Sequence, residues 1–363
     1  MARKKPKLQV IAGKRPTASA ARPAWRTADA QAARSTAAPR GLVPANPPQV
    51  SGRWLLLALS GTLVAAALCA WLALCLLYWQ GNWQLLYHPS AALTRTPASA
   101  GLAFDSIGFA TTPAGVPRLN GWWIPASPDA PDSRYTVLYL HDKDGNLSGT
   151  VDQLAPLHEA GVNVFAFDYR GYGQSLFAHP SEKRWLQDAE WAFQYLIATR
   201  HVDPHSLLVD GRGLGANLAV EFAAAHPGLA GVVADAPSPD ATRPLFDDAR
   251  ARMVPAHWLA RDRWDLAAAA AALHVPSLWF LPFPSQTNDG TPAHNPAFFE
   301  KISAPKMFVW LPPGRTTTAN FSQEFSRWLN SLAPSSPLPA APAPPQKPRS
   351  ARRASHRRHA LAH

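Results

Sequence analysis

Cysteine is nearly absent: of 363 residues only Cys69 and Cys75 are cysteines, and both lie inside one apolar run. No disulfide framework can therefore staple a globular domain, and the lack of any C-x-x-C pair argues against structural zinc. The redox compartment stays open on this ground. Acid is scarce at both ends. Residues 1–53 hold eleven Lys or Arg against Asp29 alone, and residues 334–363 hold six basic residues and no acid. The ends thus carry +10 and +6 of a total of +11, which leaves 54–333 at −5. A mildly acidic centre argues against a nucleic-acid-binding fold there, and no specific nucleic-acid recognition is expected. Glycine (21) is outnumbered by proline (37), the mark of unstructured tails, yet 47% of the chain is hydrophobic and only 16% charged, which excludes wholesale disorder.

Charge is missing altogether from WLLLALSGTLVAAALCAWLALCLLY, residues 54–78. As a helix this run spans about 37 Å, more than the roughly 30 Å hydrocarbon core of a bilayer. Trp54 marks one end, and Tyr78, Trp79 and Trp83 the other, as interfacial aromatics should. A cleaved signal peptide would have a shorter apolar core nearer the start. The reading is one transmembrane helix over 54–79. Arg53 and ten further basic residues precede it, and the next basic residue after it is Arg95. The positive-inside rule then puts the N-terminus in the cytoplasm and the rest of the chain outside the plasma membrane, in the periplasm if the source is bacterial.

Residues 1–53 have no apolar period and read as a disordered basic arm. Residues 334–363 read as a Pro/Ala linker with a basic end. Contact with anionic lipid or another polyanion is the functional reading of these tails; setting topology is the plainer one and is preferred for the arm. His356, His359 and His363 are read as solvated, not as metal ligands.

Between the helix and the tail, short β-rich runs alternate with helical ones. Strands are expected at 102–110, 121–125, 136–141, 163–168, 206–210, 232–234, 277–281 and 307–311, and helices at 150–160, 181–199, 215–226, 296–301 and 318–332. Several strands are continuously apolar, as strands covered on both faces are. The pattern is an α/β domain, a mostly parallel sheet with helices on both faces. Ser181 with Glu182 gives a helix start and Gly161 a helix stop.

The runs VLYLHDKDGN, GVNVFAFDYRGYGQS, PSEKRWLQDAEWAFQYL and SLLVDGRGLGANLAVEFAAAHP together resemble the α/β-hydrolase family. LLYHPS after the apolar run, and GWWIPA, are similar to its membrane-anchored serine-hydrolase branch, esterase- or peptidase-like. The resemblance covers about residues 84–332 and implies an α/β-hydrolase-fold domain at 84–333, with 238–266 falling where such domains often insert a cap. It also implies a nucleophile elbow, G-x-S-x-G, between a strand and a helix. Here the elbow reads Gly211-Arg212-Gly213-Leu214-Gly215, with glycine at the nucleophile's position.

Glycine has no side chain to attack a carbonyl. It does tolerate the strained backbone of an elbow, so Gly213 is expected to relax the turn once no serine is required. The family's histidine follows the last strand; the position in PPGRTTTANF that matches it holds Arg315, and no histidine occurs between His294 and His356. A guanidinium keeps its proton and cannot act as base. For the acid the resemblance offers Asp289, in NDGTP, or alternatively Asp235, and each reads equally well as a solvated loop or capping carboxylate. The oxyanion-hole region runs through Asp142, in His141-Asp142-Lys143-Asp144-Gly145-Asn146, and Leu214. Asp142 and Asp144 place negative charge where an oxyanion would develop, with Lys143 between them as counter-charge. His141 is read as structural, as are Arg170 in DYRGYG and Glu182 at the helix start. Arg250, Arg252, Arg261 and Arg263, mixed with Asp247, Asp248, Asp262 and Asp265, read as a solvated, salt-bridged surface, with an anionic ligand held by these arginines as the weaker alternative.

No metal and no cofactor are expected, and the small-molecule or protein ligand is left open. The preferred expectation is a membrane-anchored α/β-hydrolase-fold protein without catalysis, serving binding or scaffolding. The alternatives are an active hydrolase with a rearranged site, using Ser238 or Ser285, and an interaction protein working through its tails.

Overall fold

The computed structural model describes residues 50–282, 298–311 and 318–332. The chain divides into two compact units, Met1–Gly61 and Thr62–His363. Helix α1 (Gly52–Gly81) carries no charged residue after Arg53, and the run from Gly52 to Leu85 is long and apolar enough to cross a membrane.

Among the described residues ten strands follow: β1 (His88–Pro89), β2 (Asp105–Phe109), β3 (Leu119–Ile124), β4 (Thr136–Leu140), β5 (Asp144–Gly145), β6 (Asn163–Asp168), β7 (Leu207–Arg212), β8 (Gly231–Asp235), β9 (Ser277–Pro282) and β10 (Lys306–Leu311). Eight of them form one sheet in the order β10-β9-β8-β7-β4-β6-β3-β2, antiparallel only where β3 meets β2 and β6. The helices are α2 (Val151–Glu159), α3 (Glu182–Ala198), α4 (Leu214–Ala225), α5 (Arg243–Asp247), α6 (Ala256–Leu259), α7 (Leu266–Ala271) and α8 (Thr318–Leu332).

Two hydrophobic clusters explain the layering. Trp185, Ala189 and Leu196 of α3, most of α4, and Leu266 and Ala270 of α7 pack on one sheet face. Val151, Leu154 and Leu157 of α2 with Phe321, Phe325 and Trp328 of α8 pack on the other. The central strands β4, β7 and β8 are buried almost throughout, which is why their sequences are apolar runs without alternation. This is the expected α/β-hydrolase architecture.

Local signals act where the sequence places them. Ser181 Oγ accepts from the Arg184 amide at the start of α3, and Gly161 ends α2 at φ 85°. Other expectations shift. The strand expected at 102–110 is confined to Asp105–Phe109, and the helix expected at 296–301 is a single 3-10 turn, Phe299–Lys301, in its described part. Helix α7 was not foreseen: its run of alanines has no apolar period, and it forms through high intrinsic propensity and the Asp265 cap on the Ala268 amide.

Tyr78 is corrected too. It is not an interfacial aromatic but a buried one, donating from its hydroxyl to the Leu245 carbonyl (2.7 Å) and packed with Val254 and Ala256. About two turns earlier on α1, Trp71 Nε1 donates to the Met253 carbonyl (3.0 Å). The segment expected as a cap, 238–266, therefore lies against the end of α1.

Candidate functional site

Parallel strands bring their C-terminal ends to one edge of the sheet, and α/β proteins use that edge for chemistry. Here it carries His141 and Asp142 after β4, Gly213 after β7 and Asp235 at the end of β8. Gly213 sits at φ 58°, ψ −122°, a backbone conformation closed to most side chains, between β7 and α4. The elbow is thus formed in full although its central residue bears no reactive group.

The space a nucleophile would use is filled. A Cβ built on Gly213 would fall on the carboxylate of Asp142. Asp142 Oδ1 accepts from the amide of Lys143 (2.7 Å) and from the amide of Leu214 (2.8 Å). One amide follows β4, which lies beside β7 in the sheet, and the other follows Gly213, so this pair is placed as an oxyanion hole is. A built-in carboxylate occupies it. Gly213 offers α4 no side-chain cap, and Asp142 supplies one from the neighbouring strand, at the positive end of the helix dipole.

The loop's other charges are spent locally. Asp144 binds His88 Nδ1 (2.6 Å) and Lys143 Nζ (3.1 Å). Burial works to raise its pKa, but the hydrogen bonds from His88 and Lys143 prevail and hold it below the usual range. LLYHPS is stitched to this loop: β1 pairs with β5, and Asn146 Nδ2 donates to the carbonyls of Ser90 (3.0 Å) and Ala92 (2.8 Å). Sequence reasoning missed the His88–Asp144 pair because 56 residues separate the partners.

His141 is structural, as expected. It is buried against Tyr169 and Tyr172, and its Nδ1 faces the Asp142 carbonyl at 2.7 Å. A carbonyl only accepts, so Nδ1 holds the proton and Nε2 is bare. Nε2 lies 3.5 Å from Asp168 Oδ1. Burial lowers the His141 pKa to about 4 and raises that of Asp168 to about 7, so at neutral pH the imidazole is uncharged.

Asp235 is held by Arg212 at 3.4 Å, and its main-chain carbonyl accepts from the Gly213 amide (2.9 Å). It braces the elbow. Beside it Asp210 is wholly buried, which, with the nearby Asp235, pushes its pKa well up against the pull of Arg212. Asp289 and Arg315, the other expected triad positions, lie outside the described residues, as does Ser285. Ser238 engages Asn217 through its main chain and is not at an elbow.

Arg170 binds Asp188 (2.6 Å) and Gln187 (2.7 Å), the structural role expected of it. Glu182 does more than start α3: its carboxylate accepts from the amides of Arg263 (2.6 Å) and Trp264 (3.0 Å), tethering the end of the cap segment. The solvated surface expected there holds for Arg243–Asp247 and Arg250–Asp248. It fails for Asp262, which binds Tyr87 Oη (2.6 Å) and the Glu182 amide, whereas Asp265 is exposed as expected and also caps α7.

Comparison with known proteins agrees with this architecture. A family model described as serine aminopeptidase, S33, matches residues 132–304. The uncharacterized protein YfhR of Salmonella typhimurium is 37% identical over 123 residues, 34% of this chain and 40% of its own length. The uncharacterized protein Rv2307c of Mycobacterium tuberculosis is 30% identical over 200 residues, 55% of this chain and 68% of its own. A Pyrococcus furiosus esterase, Pf2001, superposes with a TM-score of 0.51 at 17% identity, over 67% of this chain and 98% of its own, a likeness of fold alone. Sheet order, elbow and sequence relatives lead to one conclusion: the chain belongs to the α/β-hydrolase family.

Proposed function

We propose that this protein is a non-hydrolytic member of the esterase- and peptidase-type α/β hydrolases, held at the plasma membrane by α1 and serving to bind or scaffold. One observation carries the reading: the Asp142 carboxylate lies over Gly213 and takes up the amides of Lys143 and Leu214. A substrate carbonyl would need those same donors, and it would meet an anion where it must itself develop negative charge. Arg315, a permanent cation at the position the family gives to its base, points the same way.

The test is a fluorophosphonate probe on the purified full chain, with an active serine hydrolase as control. No labelling is the expected result. Labelling abolished by mutation of one serine, Ser238 or another, establishes an active hydrolase instead. For anchoring, the run from Gly52 to Leu85 and the basic excess before it support one span with the N-terminus inside. Protease added to right-side-out vesicles should digest the folded domain and spare the N-terminal arm. The basic tail at 334–363 adds contact with anionic lipid or another polyanion, which its deletion should weaken with a reduced salt slope.

A further inference from the structure

A cavity of about 450 Å³ lies where α1 ends and α3 begins. Trp79, Trp83, Arg184, Arg261 and Asp262 are among the residues that line it. A second cavity continues it, sharing Arg184 and Arg261 and adding Lys183. Its acids are already engaged. Asp262 accepts from Tyr87 Oη and the Glu182 amide, and Glu182 from the amides of Arg263 and Trp264. The two guanidinium groups are not engaged in the same way. Arg184 donates to the His179 carbonyl (2.6 Å) and Arg261 lies 3.8 Å over the Trp79 ring; both act on the Asp262 carboxylate in the same lining, lowering its pKa against burial, but among the described residues neither closes an ion pair with it. The N-terminus of α3, 17 residues long, adds its positive dipole end.

We propose that this cavity binds a phosphate ester. The phosphate lies between the forks of Arg184 and Arg261, and the organic part lies against the indoles of Trp79 and Trp83. Planar guanidinium forks match phosphate oxygens bidentately, and two of them suit a charge that one would leave partly unpaired. The volume exceeds what a bare phosphate needs and falls in the range of small-molecule sites. Two sources share this chemistry: the headgroup of an anionic phospholipid next to the end of α1, and a soluble phosphomonoester. The lipid source rests on the anchoring proposed above; the site itself does not.

The experiment uses the full chain, in detergent and in phosphatidylcholine nanodiscs, titrated with glycerol 3-phosphate and followed by tryptophan fluorescence and calorimetry. Binding is expected, weakened about tenfold by Arg184→Gln or Arg261→Gln and less by Arg261→Lys, with circular dichroism confirming that each variant is folded. Phosphatidylglycerol in the nanodisc that competes with glycerol 3-phosphate identifies the lipid source; absence of competition identifies the soluble one. No binding by the wild type, or equal binding by the folded double variant, overturns the site. A chain that does not enter nanodiscs overturns the anchoring, and the titration in detergent still decides the site.

Discussion

The carboxylate of Asp142 stands where a side chain on Gly213 would have to begin, although 71 positions separate the two in sequence and they belong to different strand ends. Each explains the other. Glycine at the elbow leaves α4 without a side-chain cap and leaves room above its Cα; an aspartate after β4 fills the room and caps the helix. The arrangement keeps the shape of a catalytic elbow while using its donors internally.

Gly213→Ser should be destabilising on two counts. A serine at φ 58° carries backbone strain of about 1–3 kcal/mol, and its Cβ collides with Asp142. The expected loss is about 3 kcal/mol, a fall in Tm of roughly 6–12 °C for a domain of this size. Asp142→Gly removes the collision, so the double variant should be more stable than the two single losses add up to, with a coupling of about 1–3 kcal/mol. Thermal unfolding of the four proteins measures this. A neutral or stabilising Gly213→Ser sinks the account of the elbow.

The His141–Asp168 pair makes a prediction about pH. Asp168 is raised from 3.8 to about 7, so between those values the folded state holds a proton that the unfolded state has lost, and stability falls as pH rises. His141 is lowered from 6.5 to about 4, so the folded state lacks a proton that the unfolded state holds, and stability rises with pH over that interval. The two slopes oppose each other between about pH 4 and 6.5. Asp168→Asn leaves the histidine slope alone, and stability should then climb by roughly 3 kcal/mol across that window. Urea unfolding at a series of pH values reads it, and a flat profile for the variant counts against the assignment.

What the sequence disclosed and what it hid divide along physical lines. Strands β4 and β6 to β9 were legible because burial on both faces leaves continuous apolar runs, and the elbow because Gly211, Gly213 and Gly215 are spaced by a steric need. The vacancy at Gly213 was legible for the same reason. Its filling was not: that Asp142 points onto Gly213 depends on the approach of two parallel strands in register, Leu140 opposite Gly211. Helix α7 was hidden because a run of alanines has no period, and the burial of Tyr78 because its partner, Leu245, is 167 residues away.

Glu182→Ala should loosen the segment from residue 260 to 266. The carboxylate is the acceptor for two backbone amides, Arg263 and Trp264, and its removal leaves both to find water. A loss of about 1–3 kcal/mol is expected, with faster amide exchange at those two positions. Unchanged exchange there would mean that the segment is held by Asp262 and Trp264 packing alone.

The contact of α1 with residues 245–259 can be measured through its two side-chain donors, one buried and one exposed. Tyr78→Phe deletes the hydroxyl that reaches the Leu245 carbonyl, and Trp71→Phe deletes the indole donor to Met253 while keeping an aromatic ring. Each should cost about 1 kcal/mol, and more for Tyr78, whose carbonyl partner is left buried without its donor. Because both bonds hold the same segment, Ala249–Arg252 and Ala256–Leu259 should become accessible to limited proteolysis in the double variant, with the sheet still intact by circular dichroism. If the segment stays protected in the double variant, the apolar packing of Leu74, Cys75 and Val254 is sufficient to hold it, and the two hydrogen bonds only set its register.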